Sequence, residues 1–225
     1  MMSAFTSTFA LVRKDVHSEL RTRYALNALI MFVVTAVATI LFALRSDQPT
    51  SSVLSGLYWV VVFFTAMSGL SRTFVSEEER GTTMTLQLVA SPSTVYFAKL
   101  IFNTALTFSM TIAVTLLYMA VFSNSFVIKT LSIFIGTVVL GSLGFASAST
   151  IIAAIVAKAN TRGTLYPVLS FPILIVLLMT VMGATTKALD GEDLTSALGD
   201  FQILVGYILA MTGGSYLLFD YVWKD

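Results

Sequence analysis

The stretch at residues 131–157, LSIFIGTVVLGSLGFASASTIIAAIVA, decides the fold because it contains no charged residue. At about 1.5 Å per residue, a helix of roughly 20 apolar residues crosses the hydrocarbon core of a bilayer. Five further uncharged runs of comparable size lie at residues 25–44, 53–71, 100–122, 164–181 and 201–219. The sequence therefore predicts an all-α integral membrane protein with six transmembrane helices in a single domain.

The composition supports a membrane environment and narrows the chemistry. Of the 225 residues, 56% are hydrophobic and only 11% are charged, whereas soluble domains average about 25% charged residues. The chain contains no cysteine, which excludes disulfides, thiolate metal sites and a cysteine nucleophile. No basic or acidic tail is present, and no nucleic-acid partner is expected.

The basic residues are distributed unevenly between the two sets of connections. Because lysine and arginine accumulate in cytoplasmic loops, this asymmetry predicts that both termini lie on the cytoplasmic side of the inner membrane. Only Arg45, Lys129 and Lys187 fall in the alternate loops. The other ten lie in the N-terminus, the 72–99 connection, the 158–163 turn and the C-terminus: Arg13, Lys14, Arg21, Arg23, Arg72, Arg80, Lys99, Lys158, Arg162 and Lys224.

Residues 1–24 predict an amphipathic helix along the cytoplasmic interface. Their charged residues are unlike a signal peptide, so the run from Ala25 is expected to be a retained span. The alternative is a polar extension continuous with the first span. Apolar side chains recur at helical spacing, namely at Phe5, Phe9, Val12, Val16, Leu20 and Tyr24.

The longest predicted cytoplasmic connection, residues 72–99, reads RTFVSEEERGTTMTLQLVASPSTVYFAK. Ser76 followed by Glu77, Glu78 and Glu79 predicts a capped helix start with acidic residues in the first turn. Gly81 is expected to end that turn, and Ser91-Pro92 predicts the start of the next helix. Such a short, structured connection with apolar residues on part of its surface indicates a segment that a partner protein contacts.

Small residues and prolines mark two of the spans. Gly141 and Gly144 in the fourth span favour close helix packing or dimerisation. Pro167 and Pro172 in the fifth span each remove a backbone donor and predict a kink, either static or acting as a hinge.

Motifs for independent catalysis are absent from the sequence. There is no phosphate-binding GxxxxGK[ST] loop, no GxGxxG turn and no HExxH helix, and His17 is the single histidine. The predicted spans contain no ionisable residue of the kind that ion-coupled transporters use. No enzymatic activity and no metal site are expected, so any transport would need force supplied by another protein.

The 72–99 connection resembles that of ABC-2-type exporter membrane subunits, and more narrowly that of the CcmB family, the permease subunits of the cytochrome c maturation complex. The resemblance also covers the N-terminal segment, the glycine-rich fourth span and the prolines of the fifth. Its motifs in the connection are Arg72-Thr-Phe, Glu77-Glu-Glu-Arg-Gly81-Thr82, Leu86-Gln-Leu88, Ser91-Pro92 and Tyr96-Phe-Ala-Lys99.

This resemblance implies a separate ATPase subunit of the CcmA kind, which hydrolyses ATP. It also implies haem-handling partners of the CcmC and CcmD kinds and a haem chaperone of the CcmE kind. The resemblance implies that the complex either exports haem as its cargo or releases the haem-loaded chaperone. No directly bound cofactor is expected, and a second copy of the chain is left open as a partner. Docking of the ATPase is expected at Glu77, Glu78, Glu79, Arg80, Gly81 and Thr82, with Arg72 and Lys99 anchoring the connection at the membrane surface.

Two alternative functions are compatible with the same sequence. The first is an ABC-2 permease for a lipid or polysaccharide, which would produce an envelope defect on deletion while c-type cytochromes remain normal. The second is a non-transporting assembly scaffold, which would still support cytochrome maturation when the partner ATPase cannot hydrolyse ATP.

Overall fold

The computed structural model describes residues 4–21, 23–44, 49–79, 81–158 and 162–224. Helices account for nearly all of these residues, and no strand occurs among them. In chain order the helices are α1 (Ala4–Arg21), α2 (Arg23–Ala43), α3 (Ser51–Leu70), α4 (Arg72–Glu79), α5 (Thr83–Val89), α6 (Pro92–Val121), α7 (Leu131–Lys158), α8 (Arg162–Asp190), a short 3₁₀ helix (Leu194–Ala197) and α9 (Leu198–Lys224).

Five helical segments in the described part of the chain are long and apolar enough to cross a membrane. The apolar part of α2, Asn27–Ala43, is shorter than these five. The predicted all-α membrane class is therefore confirmed, with five candidate spans. These spans are Ser51–Glu79, Pro92–Val121, Leu131–Lys158, Val168–Asp190 and Leu194–Trp223.

Helix α7 lies at the centre of the bundle. It packs against α6, α8 and α9, and its apolar part is the most extensively buried of the five candidate spans. A Cβ atom on Gly141 would lie 2.8 Å from the Trp59 ring, and one on Gly144 would lie 2.5 Å from Leu177. Both distances are shorter than ordinary carbon contacts. Because glycine has only a hydrogen atom as its side chain, these two positions let α3 and α8 approach α7 closely.

Polar side chains connect α3 to its neighbours inside the bundle. The Trp59 indole donates to the Thr185 hydroxyl at 2.7 Å, and the Ser55 hydroxyl donates to the Met182 carbonyl at 2.7 Å. On the other side of α3, the hydroxyls of Tyr58 and Thr115 lie 2.8 Å apart. Because buried polar groups need partners, these bonds fix how α3 sits between α6 and α8.

Two of the three predicted features of the 72–99 connection agree with the structure. Ser91 caps α6 with Pro92 at its start, and Gly81 adopts a positive φ of 66° between α4 and α5. The prediction that a helix begins at Ser76 is wrong, because α4 begins at Arg72 and the glutamates lie at its C-terminal end. Acidic groups oppose the helix dipole there, so other charges have to compensate them.

Helix α8 continues through both of its prolines. Pro167 lies in its second turn, and Pro172, whose side chain is exposed, lies in its third. Each proline leaves one carbonyl of the preceding turn without its usual donor. The kink expected at these positions stays a prediction.

The contacts between helix ends define two ends of the bundle. We call one the loop end: there Lys14 of α1 contacts Glu77 of α4, and the Gln87 side chain of α5 donates to the Trp223 carbonyl of α9. We call the other the far end, where the backbone N–H of Thr130 donates to the Ala188 carbonyl at 3.0 Å.

The far end carries acidic residues in the connection between α8 and α9. Lys187 and Asp200 form an ion pair there at 2.8 Å. Hydrogen bonds from the Thr195 hydroxyl and from nearby backbone N–H groups hold the pKa of Asp193 below its ordinary value. The ion pair joins the end of α8 to the start of α9, and Asp193 makes its hydrogen bonds within the connection.

Candidate docking segment

Helices α4 and α5 form a compact segment at the loop end whose second helix exposes apolar side chains. Thr83 and Leu86 of α5 are buried against the bundle. Met84, Leu88 and Val89 are 78%, 88% and 80% exposed, and we call these three the α5 patch. Adjacent exposed apolar side chains mark interaction sites on many proteins, so this face of α5 is a candidate docking surface.

Four charged side chains at the base of this segment form a charge cluster in which all but Lys14 are buried: Lys14 and Asp15 of α1, Glu77 of α4 and Lys99 of α6. The Lys99 ammonium lies 3.0 Å from Asp15 Oδ2 and 3.1 Å from Glu77 Oε1. Lys14 contacts Glu77 and lies 3.5 Å from Asp15 Oδ1. With two positive and two negative groups, the cluster is formally neutral.

Burial explains why these charges occur together. Lys99, Glu77 and Asp15 are only 3%, 6% and 7% exposed, and isolated charges at such positions would be strongly destabilising. Lys99 also donates to the Thr73 carbonyl at 3.1 Å. The cluster thus joins α1, α4 and α6, and it compensates Glu77 for its position at the C-terminal end of α4.

A chain of hydrogen bonds extends from this region into the bundle. The Thr73 hydroxyl of α4 donates to Asn103 Oδ1 at 2.9 Å. The Asn103 side chain, which is fully buried, donates in turn to the Thr150 hydroxyl of α7 at 2.9 Å. A displacement of α4 would therefore act directly on α6 and on the central helix.

Three further contacts hold the segment in place. Thr82 donates to Glu77 Oε2 at 2.6 Å across the turn that contains Gly81. Lys158, at the end of α7, lies 3.8 Å from Glu78. The bond from Gln87 to the carbonyl of Trp223 ties α5 to the end of α9. The α4–α5 segment therefore contacts four separate helices while the α5 patch stays exposed.

The structure divides the predicted docking residues into an inner and an outer group. Glu77 belongs to the charge cluster, so its carboxylate faces the chain's own lysines and not a partner. Glu78 is partly exposed, and Glu79, Gly81 and Thr82 are exposed. Arg80 lies outside the described residues.

The two predicted anchoring residues have different environments. Arg72 is exposed at the start of α4, and its anchoring at the membrane surface stays a prediction. Lys99 is buried inside the charge cluster, so its role is to join three helices rather than to reach the membrane surface. Sequence reasoning missed Lys14, Asp15 and Asn103 as parts of this site, because their partners lie far away along the chain.

The described residues contain no group of three or more histidine, cysteine or acidic side chains that could hold a metal ion. Together, the all-helical fold, the five candidate spans and the structured α4–α5 segment define a multi-span membrane protein with a candidate site for a partner protein.

Residues 6–217 match the family described as CcmB protein, and the chain belongs to that family. Its members are permease components of the haem-export system of cytochrome c maturation, which works as part of an ABC complex. No curated protein matches the chain.

Proposed function

We propose that the chain is the membrane-spanning subunit of an ABC complex for cytochrome c maturation and that a separate ATPase subunit drives it through the α4–α5 segment. The exposed α5 patch is the observation that carries this proposal. It lies at the loop end on a helix whose opposite face is fixed to the bundle, as force transmission requires. ATP would be bound and hydrolysed by the partner subunit.

The path of the chain favours α2 as a sixth span. Helix α1 contacts α4 at the loop end, whereas the start of α3 lies beside Met182 and Thr185, towards the far end. The chain must pass from one end to the other between these helices. Leu41 and Leu44 share a groove with Val121 and Phe122 at the far end of α6, which supports α2 as the crossing helix.

With six spans, both termini lie at the loop end, and we assign this end to the cytoplasm. The positive-inside rule supports the assignment, because Arg13, Lys14, Arg72, Lys99 and Lys158 lie there, against Lys129 and Lys187 in the described part of the far end. In this arrangement α1 lies along the cytoplasmic interface of the inner membrane and α4–α5 is the coupling segment. All six spans and α1 then form one membrane domain.

The charge cluster gives the proposed motion a route into the membrane. Force applied to α5 reaches α4 through the turn at Gly81. From α4 it passes to α6 through Glu77 and Lys99, and to α7 through Asn103 and Thr150. Because breaking any of these contacts would leave a buried polar or charged group without its partner, the contacting helices are expected to move together.

Haem is proposed as the cargo of the complex and not as a cofactor bound by this chain. Met119 and Met179 on the spans have exposed side chains, and we assign them to packing against lipid. The further partners proposed are haem-handling membrane proteins of the CcmC and CcmD kinds, a chaperone of the CcmE kind and a second copy of this chain.

Co-purification of the ATPase from cells that express the whole complex tests the docking role. Val89→Asp places a charge in the α5 patch, and Glu78→Lys/Glu79→Lys reverses the adjoining charges. Both variants should recover at least about tenfold less ATPase per permease, since central interface residues commonly contribute 2 kcal/mol or more. Val127→Asp, which alters an exposed valine at the far end, is the matched control and should recover the ATPase normally.

Undiminished ATPase recovery with both docking variants would refute the docking role of the α4–α5 segment. Thermal unfolding of each purified variant serves as the control: an unfolding temperature like that of the unchanged protein shows that a loss of ATPase reflects docking and not misfolding. Formation of c-type cytochromes in the same cells should fall together with ATPase recovery.

A further inference from the structure

Helix α1 has one face turned towards the bundle and another that nothing in the described part of the chain covers. Asp15 is buried in the charge cluster, and Leu11 packs against the core. Phe9 is 74% and Val16 is 39% exposed. The uncovered face follows helical spacing and is formed by Lys14 together with Thr6, Phe9, Ala10, Arg13, Val16 and His17.

This exposed face combines apolar side chains with basic ones and contains no acidic residue. The charge of Lys14 is used by Glu77 and Asp15, as described above. Arg13 and His17 are exposed, and no ion-pair partner for either occurs among the described residues. Arg13 therefore offers an uncompensated guanidinium, and the His17 ring offers an N–H donor, beside Phe9 and Val16.

We propose that this face of α1 is a binding site for anionic phospholipids of the cytoplasmic leaflet. Arg13 and His17 donate hydrogen bonds to the lipid phosphate, and Phe9 and Val16 contact the upper part of the acyl chains. This proposal rests on the interfacial position of α1 proposed above, and it adds the chemical class of the ligand that binds there.

Chain connectivity and charge both favour a lipid over a protein at this face. Helix α1 ends at Arg21 and α2 begins at Arg23, so the helix that carries this face is followed directly by the helix proposed as the first span. Exposed aromatic and aliphatic groups flanked by basic ones are typical of helices that lie in the headgroup region. The negative surface of the cytoplasmic leaflet attracts such basic residues.

Because the chain contains no cysteine, the variant Ala10→Cys allows one fluorescent label to be attached to this face of α1. The labelled protein is reconstituted in vesicles with lipids that carry a quenching bromine on the upper acyl chain. Quenching of the label reports whether α1 lies at the interface, independently of which headgroup binds. Labelled protein in detergent is then titrated with short-chain phosphatidylglycerol or phosphatidylcholine, and the fluorescence change gives the half-saturating concentration.

The fluorescence change should be half-complete at an about fivefold lower concentration of phosphatidylglycerol than of phosphatidylcholine. This is the expected effect of one favourable charge near an anionic headgroup. The variant Arg13→Gln/His17→Gln should abolish this difference and keep the bromine quenching. Lys129→Gln, which removes an exposed lysine at the far end, should preserve both.

Quenching without any headgroup preference would overturn the anionic-lipid site while leaving the interfacial helix intact. Absence of quenching would overturn both, because this face of α1 would then not contact the lipid. A headgroup preference that survives Arg13→Gln/His17→Gln would show that the lipid binds elsewhere.

Discussion

At the residue scale, Lys99 is a lysine whose charge is buried inside the bundle. Its ammonium is almost completely buried and contacts the carboxylates of two other helices. Buried ion pairs add little net stability when intact, yet removing one partner leaves an uncompensated charge. Lys99 therefore secures the relative positions of α1, α4 and α6.

Replacing Lys99 tests this role. Lys99→Met should lower the free energy of unfolding by about 3–5 kcal/mol, measured by thermal or denaturant unfolding of the detergent-solubilised protein. Adding Asp15→Asn to Lys99→Met leaves Lys14 and Glu77 as a neutral pair, and this double variant should recover part of the loss.

Lys187→Met provides the matched comparison because it removes a more exposed ion pair at the far end. It should cost about 1 kcal/mol or less. Equal destabilisation by Lys99→Met and Lys187→Met, with no recovery from Asp15→Asn, would show that the charge cluster has no special role.

The burial of Lys99 could not be predicted from the sequence. A basic residue next to an uncharged run ordinarily indicates a membrane boundary. This pattern predicts that Arg72, which follows one run, and Lys99, which precedes the next, lie at the membrane surface. The burial of Lys99 depends on Asp15 and Glu77, which lie on separate helices, and no local pattern shows that these residues meet. Gly141 was predictable as a small residue in a span, but its contact with Trp59 required the packing of α3.

At the element scale, the turn between α4 and α5 sets the direction of α5, the proposed docking helix. Gly81 has a φ of 66° and no neighbour that would meet an added Cβ, so backbone conformation and not space restricts this position. In this region a residue other than glycine costs about 1–2 kcal/mol, although asparagine tolerates it better than most.

Substitutions at Gly81 should therefore separate docking from folding. Gly81→Val should tilt α5 and reduce ATPase recovery from the assembled complex, whereas Gly81→Asn should retain most of it. Gly191, which has a φ of 84° at the far end, gives the comparison, and Gly191→Val should leave ATPase recovery per folded permease unchanged. Equal recovery from Gly81→Val and Gly81→Asn would show that the turn does not position α5.

The ends of these elements show which local signals were sufficient. Ser91-Pro92 was predicted as a helix start and is one, because the serine side chain and the proline ring act within a single turn. Ser76 with its three glutamates carries a similar signal, yet α4 begins at Arg72. The lysines that compensate Glu77 come from α1 and α6, so tertiary contacts overrode the local capping preference.

At the scale of the whole molecule, the contacts between helix ends define the loop end and the far end. In the proposed arrangement these ends lie on opposite sides of the membrane, and the basic residues support a cytoplasmic loop end. The uncharged runs were sufficient to predict five candidate spans, because hydropathy depends only on the sequence. The arrangement around α7 was not predictable, because it depends on which helix faces meet.

Single cysteines in this cysteine-free chain test the orientation. With a membrane-impermeant maleimide added to intact spheroplasts, Val127→Cys should react, and Leu88→Cys should react only after permeabilisation. Both positions are exposed, so a difference reports sidedness and not burial. Labelling of both cysteines from the same side would rule out the proposed path of the chain.

Photocrosslinking from position 88 in the intact complex tests the central claim most directly. A photoreactive phenylalanine analogue replaces Leu88 in the α5 patch or, as the control, Val127 at the far end, and irradiated adducts are identified by mass spectrometry. If the ATPase contacts the α5 patch, position 88 should give an adduct with the ATPase subunit and position 127 should give none. An assembled, active complex in which position 88 gives no ATPase adduct would contradict this contact.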